Sequence, residues 1–384
     1  MKAFSLTQAQ IARVIGAAAA DELSRRFNRH VDFLTIASWT GETALGRGGL
    51  SLDDEEKRAC ARRAAAQFGL DAEFLTKRPA EKIADWAREI ALAAHFSLTS
   101  FSFKPAARSD HDVAHAHPAD EIYQDAAAAA NVLYGRRRLL SLVAPHSLLG
   151  LELSILTANL LCIESVDARG MTPEALSKGL LFGDVLVATP TLWRYMMQEN
   201  LQAPDNTLAV SFGEPMTPEL AADMRKSGFG VLRELYGSTE TGMIAWRDTP
   251  GEAFVLFDHW RKDGDSLMRV SPDGSSRRIE AMDSLNWTGE RSFTLAGRRD
   301  GAIQIGAVNV FPDAVAAAMR AHPHIKNCRI TVGRRSDGAA RLIANIVLSE
   351  KASPSERTAR DIDVWCRINL RQQERPQIYN FEAD

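Results

Sequence analysis

The sequence predicts an α/β fold: a large N-terminal domain with mostly parallel sheets and a small β subdomain, followed by a small α+β C-terminal domain. Three observations lead there. Strand-like runs alternate with helical stretches through the middle of the chain, the pattern of parallel strands joined by crossover helices. After Trp246 the runs become short and alternating, separated by Gly, Asp and Pro, as in antiparallel strands. From Arg298 the order changes again, to strand, Pro-started helix, two strands and helix. A chain of 384 residues also exceeds what one core usually takes. The expected domains are 1–297 and 298–384.

Residues 1–95 read as helices. "DDEEKRACARRAAAQFGL" and "AEKIADWAREIALAAHF" each set apolar residues on one face, and the N-terminal "MKAFSLTQAQIARVIGAAAADEL" reads as an amphipathic helix rather than a leader. Strands are then expected at "FSLTSFSF", "RRLLSLVAP", "LLCIES", "DVLVATP", "TLAVSF" and "GVLRELYG", with polar turns at several C-terminal strand ends, where such sheets bind ligands. The antiparallel group comprises "FVLFDHW", "DSLMRVSPDG", "SRRIEAMD" and "ERSFTLAGRRDG". The longest apolar run, "SLLGLELSILTANLLCIES", is broken by Glu152 and Asn159 and falls short of a membrane span.

A formal charge of −3 and a pI near 6.3 provide no global basic field, so neither nucleic acid nor a membrane surface is expected as partner. Cys60, Cys162, Cys328 and Cys366 have no metal-ligand spacing and read as reduced thiols of a cytoplasmic protein. Asp110, His111, Asp112, His115 and His117 have metal-ligand chemistry but lie in one polar stretch without a second ligand group, and read as loop. Trp193, Trp260 and Trp287 read as packing residues.

"RELYGSTETGMIAW" carries the chemistry. Hydroxyls beside glycine bring donors close to an anion, and the Glu among them suits a hard cation. With "GRRDGAIQIGAVNVFP" downstream, "YGSTETG" resembles the paired core motifs of the adenylate-forming superfamily, which includes acyl-CoA synthetases, luciferases and peptide-synthetase adenylation domains. Length and the phrase "LFDHW" with the second motif resemble most the short 4-coumarate–CoA ligases associated with photoactive yellow protein, from about residue 95 onward. The resemblance implies a mobile C-terminal domain turning at Asp300, ATP or AMP and Mg²⁺ as cofactors, and CoA as co-substrate. Its partners would be an aryl or acyl carboxylate and the thiol of CoA or a carrier protein.

Residue roles follow from the resemblance. Thr239 would donate to the α-phosphate, Glu240 would hold Mg²⁺, and Tyr236 with Gly237 would cover the adenine. "SFGEPMTP" supplies Ser211, Gly213 and Glu214 to the adenine turn. Asp283, fourteen residues before Gly297, would hold the ribose hydroxyls with Arg298 as partner. His146 in "VAPHSLLG" would wall the acyl pocket, and Gly306 would line the thiol approach. At the phosphate loop, "LTSFSFKPAAR" keeps Thr99, Ser100, Ser102 and Lys104 but has no glycine, so triphosphate binding is expected to weaken. Ala307 stands where relatives have glycine, and the resemblance stops at "ERPQIYNFEAD", ahead of the family's final Gly-Lys motif. An ATP-dependent acid–thiol ligase is the main expectation. The alternatives are a non-catalytic AMP or acyl-adenylate binder and an acyltransferase using preformed acyl-adenylate.

Overall fold

The structure, a computed structural model, describes residues 6–105, 113–249, 253–299, 301–305, 308–335, 340–350 and 352–382. Thr7 starts the first helix, Gln8–Phe27, with a capping box: its hydroxyl accepts the Gln10 amide and its own amide donates to Gln10 Oε1. This helix and the Asp54–Gln67 and Ile83–Ser97 helices turn Ile11, Ile15, Phe68, Trp86 and Ile90 into one core. Strand β1 (Ser100–Phe103) joins that core through Phe101 and Phe103, both without solvent exposure. It pairs antiparallel with β2 (His115–Pro118), which leads into the Ala119–Val132 helix.

Among the described residues the central sheet has nine strands. Strands β3 (Arg138–Ser141), β4 (Glu164–Asp167), β5 (Asp184–Ala188), β6 (Thr207–Phe212) and β7 (Phe229–Ser238) run parallel, in the order β7-β6-β5-β3-β4. Leu139, Val185 and Leu208 enter the core beneath the N-terminal helices, while Leu140, Leu186 and Ala209 enter a second core with Trp193 and Phe229. Burial on both faces explains why these strands read as unbroken apolar runs.

Antiparallel pairing begins at β8 (Gly242–Asp248), earlier than the change in pattern at Trp246, and continues in β9 (Phe254–Leu256). A separate three-stranded sheet holds β10 (Trp260–Asp263), β11 (Ser266–Val270) and β12 (Ser276–Ile279). β13 (Asp283–Trp287) and β14 (Ser292–Arg298) return to the central sheet beside β9. Four of the antiparallel strands thus extend the parallel sheet, and the other three form a small sheet of their own. The run "LLCIES" divides: a helical turn covers Ala158–Leu161 and the strand starts at Glu164.

Towards the C-terminus, strands Ile325–Arg334 and Ala340–Leu348 pair antiparallel, and Ile378–Glu382 adds in parallel to the latter. The sequence pattern does not mark that last strand, since none of its side chains is fully buried and it shows little alternation. Val310, Met319, Ile330, Leu342, Ile362 and Cys366 form a core of their own. Among the described residues no helix is long and apolar enough to cross a membrane.

The burial of β1 yields a stability test. Phe101→Ala should lower the unfolding free energy by about 3–5 kcal/mol in urea titration, whereas Ser102→Ala, on the opposite face, should change it by less than about 0.5 kcal/mol. Equal responses would contradict a strand at this place.

Candidate active site

β7 ends at Ser238 and β8 begins at Gly242, so Thr239, Glu240 and Thr241 form the turn of a hairpin. Glycine is needed at both margins. A Cβ on Gly237 would lie 2.3 Å from the Gly242 carbonyl oxygen. Gly242 has a φ of 82°, and a Cβ there would meet Asp125 Oδ2 at 2.6 Å.

Buried groups hold this turn from behind. Asp125 accepts the Met243 amide at 2.9 Å, and the Trp260 indole donates to the Met243 carbonyl at 2.8 Å. His117 Nε2 lies 2.7 Å from the Thr239 carbonyl oxygen. Asp125 also pairs with Arg269 at 2.8 Å and has His259 Nε2 at 2.8 Å. Burial opposes its charge, but His259 and Arg269 outweigh burial and keep the Asp125 pKa below the usual carboxylate range. Glu152, fully buried where a π-helical turn (Glu152–Thr157) starts, behaves oppositely: burial first, then the Asp125 charge, pushes its pKa well up. Arg269 reaches Glu121 as well, and Glu121 pairs with Arg277 at 2.7 Å.

In front of the turn is a cavity of about 410 Å³. Tyr236, Gly237, Thr239 and Glu240 line it from the hairpin, Gly213 and Glu214 from the end of β6, and Asp283 and Arg298 from β13 and β14. Tyr236 donates its hydroxyl to Asp283 Oδ2 at 2.8 Å, and burial, with Asp283 adding to it, pushes the phenol pKa far up. Asp283 and Arg298 face each other across the β13–β14 ladder. Glu214 is held by Thr191 at 2.8 Å and by Arg194 at 3.4 Å. Val143, Leu148, Leu149, Phe212 and Ile244 form an apolar part of the wall. A wider open groove of about 950 Å³ runs past Trp260, Lys262 and Trp287 and holds none of these motif residues.

The remaining wall is charged. Lys104 and His146, both expected at the site, line it together with Asp21 and Arg25 of the first helix, which sequence reasoning left out. Arg25 Nε pairs with Asp21 at 2.8 Å, and Lys104 Nζ donates to Glu22 at 2.9 Å. His146 Nε2 stands 3.8 Å from Asp21, and burial pushes its pKa down to about 4 against the pull of Asp21.

Four expected site residues do not reach the cavity. Phe101 and Phe103 point into the core, so Ser100 and Ser102 of β1 take the other face and are bound into a strand rather than an open loop. Thr99 is exposed and gives its carbonyl to the Ala119 amide. Ser211 is buried inside β6, between β5 and β7. Asp300, Gly306, Ala307 and Asp110, His111 and Asp112 lie outside the described residues. His115 does have a carboxylate nearby, contrary to the sequence reading: its Nε2 lies 3.9 Å from Glu240.

Sequence alone also missed Asp125, Glu152, Arg269 and Trp260's donor role. One signal was present: Glu121 and Asp125 sit four apart on the same face as Ile122, Ala126 and Ala129. Glu240 fits a Mg²⁺ role in residue chemistry, as the cavity-wall carboxylate next to Thr239, since this ion takes one or two carboxylates plus phosphate oxygens. His322, His324 and Asp361 also cluster, in the C-terminal module. There the His324 amide donates to His322 Nδ1 at 3.1 Å, which leaves the proton of neutral His322 on Nε2, facing Asp361, and disfavours a metal.

No family model matches the chain. It is 28% identical over 297 residues to a 4-coumarate–CoA ligase of Halorhodospira halophila, a match covering 77% of this chain and 75% of that one. A 4-coumarate–CoA ligase of Rhodobacter capsulatus is 29% identical over 221 residues, so the match spans 56% of that relative's length. Among solved structures, an o-succinylbenzoate CoA synthetase double mutant of Bacillus subtilis superposes with a TM-score of 0.60 at 16% identity, over 82% of this chain and 70% of that one. An amide bond synthetase of Marinactinospora thermotolerans gives 0.58 at 15%, over 97% and 90%. At these identities the two structures show a shared fold.

His146 gives a pH test. Its pKa of about 4 lies below the ordinary 6.5, so the unfolded chain takes up a proton first and stability falls as pH drops from about 6.5 towards 4. Between pH 7 and 5 this contributes about 2 kcal/mol of loss. His146→Gln should remove that portion of the slope in paired urea titrations; an unchanged slope would contradict a buried neutral imidazole.

Proposed function

We propose that this chain, which has the fold of the adenylate-forming superfamily and resembles its 4-coumarate–CoA ligases, activates an aryl carboxylic acid of the 4-coumarate kind with ATP and transfers the acyl group to CoA. The observation that carries the proposal is the shared cavity. Tyr236, bonded to Asp283, lines it together with Thr239, Glu240 and an apolar wall.

The chemistry has two steps. A carboxylate oxygen of the acid attacks the α-phosphorus of ATP; the new P–O bond forms as the bond to pyrophosphate breaks. The thiol sulfur of CoA then attacks the acyl carbon, AMP leaves, and the thiol proton goes to solvent. Asp283 binds the ribose hydroxyls with Arg298 beside it, and Tyr236, Gly237, Gly213 and Glu214 enclose the adenine. The Thr239 hydroxyl donates to the α-phosphate as charge builds there. Bound Mg²⁺ at Glu240 supplies positive charge to the phosphates. His146, neutral at pH 7, closes the acyl side without adding charge.

The division into 1–297 and 298–384, with rotation at Asp300 between half-reactions, belongs to the same proposal. So do a cytoplasmic location and small-molecule partners. Because β1 replaces an open glycine loop, a second reading is a protein that accepts preformed acyl-adenylate and only transfers it.

Pyrophosphate exchange into ATP tests the first reading. The purified chain with 4-coumarate should exchange, and Thr239→Ala should slow it about a hundredfold. No exchange with any aryl acid, together with thioester formation from synthetic coumaroyl-AMP and CoA, would move the assignment to the second reading.

A further inference from the structure

Two histidines take no part in the chemistry proposed above. His115 and His117 alternate with Ala116 and Pro118 in β2, so they share one face of the strand. β1 decides where that face points. In the antiparallel ladder Phe101 stands opposite His117 and Phe103 opposite His115, and both phenylalanines are fully buried. Side chains directly opposite one another in a ladder lie on the same side of the sheet, so the core that takes the phenylalanines draws the histidines inward with them. His117 is 3% exposed, with its ring 6.1 Å from that of Phe103.

That face meets the turn between β7 and β8. The Thr239 carbonyl can only accept a hydrogen bond, so at 2.7 Å His117 Nε2 carries the proton and donates it. His115 Nε2 stands 3.9 Å from Glu240 Oε1. The margins of the turn are closed on each other: the Thr241 amide donates to the Ser238 carbonyl at 3.3 Å, and the Ser238 amide to the Thr241 hydroxyl at 3.2 Å. These bonds hold residues 238 and 241 but not the peptide between Thr239 and Glu240. The Thr239 carbonyl belongs to that peptide, which is a rigid plane. Holding its oxygen fixes the tilt of the plane, and the two side chains leave the backbone from its two ends.

We propose that His117 is a positioning residue for the reaction: through the Thr239 carbonyl it holds the Thr239–Glu240 peptide so that the Thr239 hydroxyl and the Glu240 carboxylate face the cavity together. The inference rests on the adenylate-forming reading of that cavity, which assigns the Thr239 hydroxyl to the α-phosphate. His117 does not line the cavity itself. Its part is to keep the turn in the geometry needed when charge builds on the phosphate, where a small misplacement of the donor is costly. A carbonyl that loses its donor inside the protein is expensive to leave unpaired, so without the imidazole the peptide turns towards another donor and the hydroxyl moves out of line.

Pyrophosphate exchange by the full chain with 4-coumarate tests this with substitutions at His117. His117→Gln can set its side-chain amide where Nε2 stood, whereas His117→Asn falls short of the carbonyl and His117→Leu has no donor. His117→Gln should stay within about twofold of wild type, while His117→Asn and His117→Leu should lower kcat about tenfold and leave the KM for ATP and for the acid unchanged. In a Thr239→Ala background the cost of His117→Leu should shrink to about threefold, because the hydroxyl it misplaces is gone. Hydrogen exchange of the backbone over residues 238–242 reads the turn without turnover, and should quicken in His117→Asn and His117→Leu but not in His117→Gln. Thermal unfolding shows which variants are folded, and either of the two that lack the donor serves.

The proposal is overturned if a folded variant without the donor matches wild type in kcat, if His117→Gln loses as much as His117→Leu, or if the cost is equal with and without the Thr239 hydroxyl. Unchanged hydrogen exchange in the turn overturns it as well. Should wild type catalyse no exchange with any aryl acid, the adenylate reading falls instead, and hydrogen exchange in the turn still decides whether His117 holds it.

Discussion

One buried carboxylate carries much of this architecture. Asp125 accepts the backbone amide that follows the hairpin turn, and its charge is tolerated there only because Arg269 and His259 converge on it. Those partners come from the second sheet and the loop before it, and Trp260, from the same sheet, holds the carbonyl of the same residue. The Ala119–Val132 helix, the central sheet and the smaller sheet are therefore joined at Met243. Gly242 is part of the arrangement, since any side chain there would occupy the place of the carboxylate. Glu152 lies near the same carboxylate, and burial together with the Asp125 charge pushes its pKa well up.

The parallel half of the sheet explains where the cavity lies. His146 follows β3, Thr189 follows β5, Gly213 follows β6 and Thr239 follows β7, and all four line the cavity. Chain crossing from strand to helix at the C-terminal edge leaves a crevice there, and each strand end delivers one polar or flexible residue into it. The antiparallel extension then folds Asp283 and Arg298 back over the same edge. The cavity is thus a product of strand order, with residues more than a hundred positions apart meeting in one place.

The sequence made parts of this legible for identifiable reasons. Tyr236, Gly237, Thr239 and Glu240 lie within five consecutive positions, so a motif could point to them, and Asp283 could be picked out by its distance to Gly297. Fold class was readable because strands buried on two faces leave unbroken apolar runs. Ser100 and Ser102 lie in the strand expected at "FSLTSFSF": "SFSF" alternates at the period of a strand, the phenylalanines go inward, and neither serine lines the cavity as the phosphate-loop resemblance implied. Asp21 and Arg25 were invisible as site residues because helical spacing reveals a face but not what that face meets. Asp125 was halfway between, a carboxylate on an alanine face whose partners lie about 120 to 145 positions further on.

The central claim is that the cavity between the Tyr236–Gly242 hairpin and Asp283 receives an adenosine monophosphate moiety. A crystal structure of the chain with AMP tests it most directly. The account predicts ribose hydroxyls at the Asp283 carboxylate, the base against Tyr236 and the phosphate near Thr239. AMP seated elsewhere, with this cavity filled only by water at saturating ligand, would contradict it.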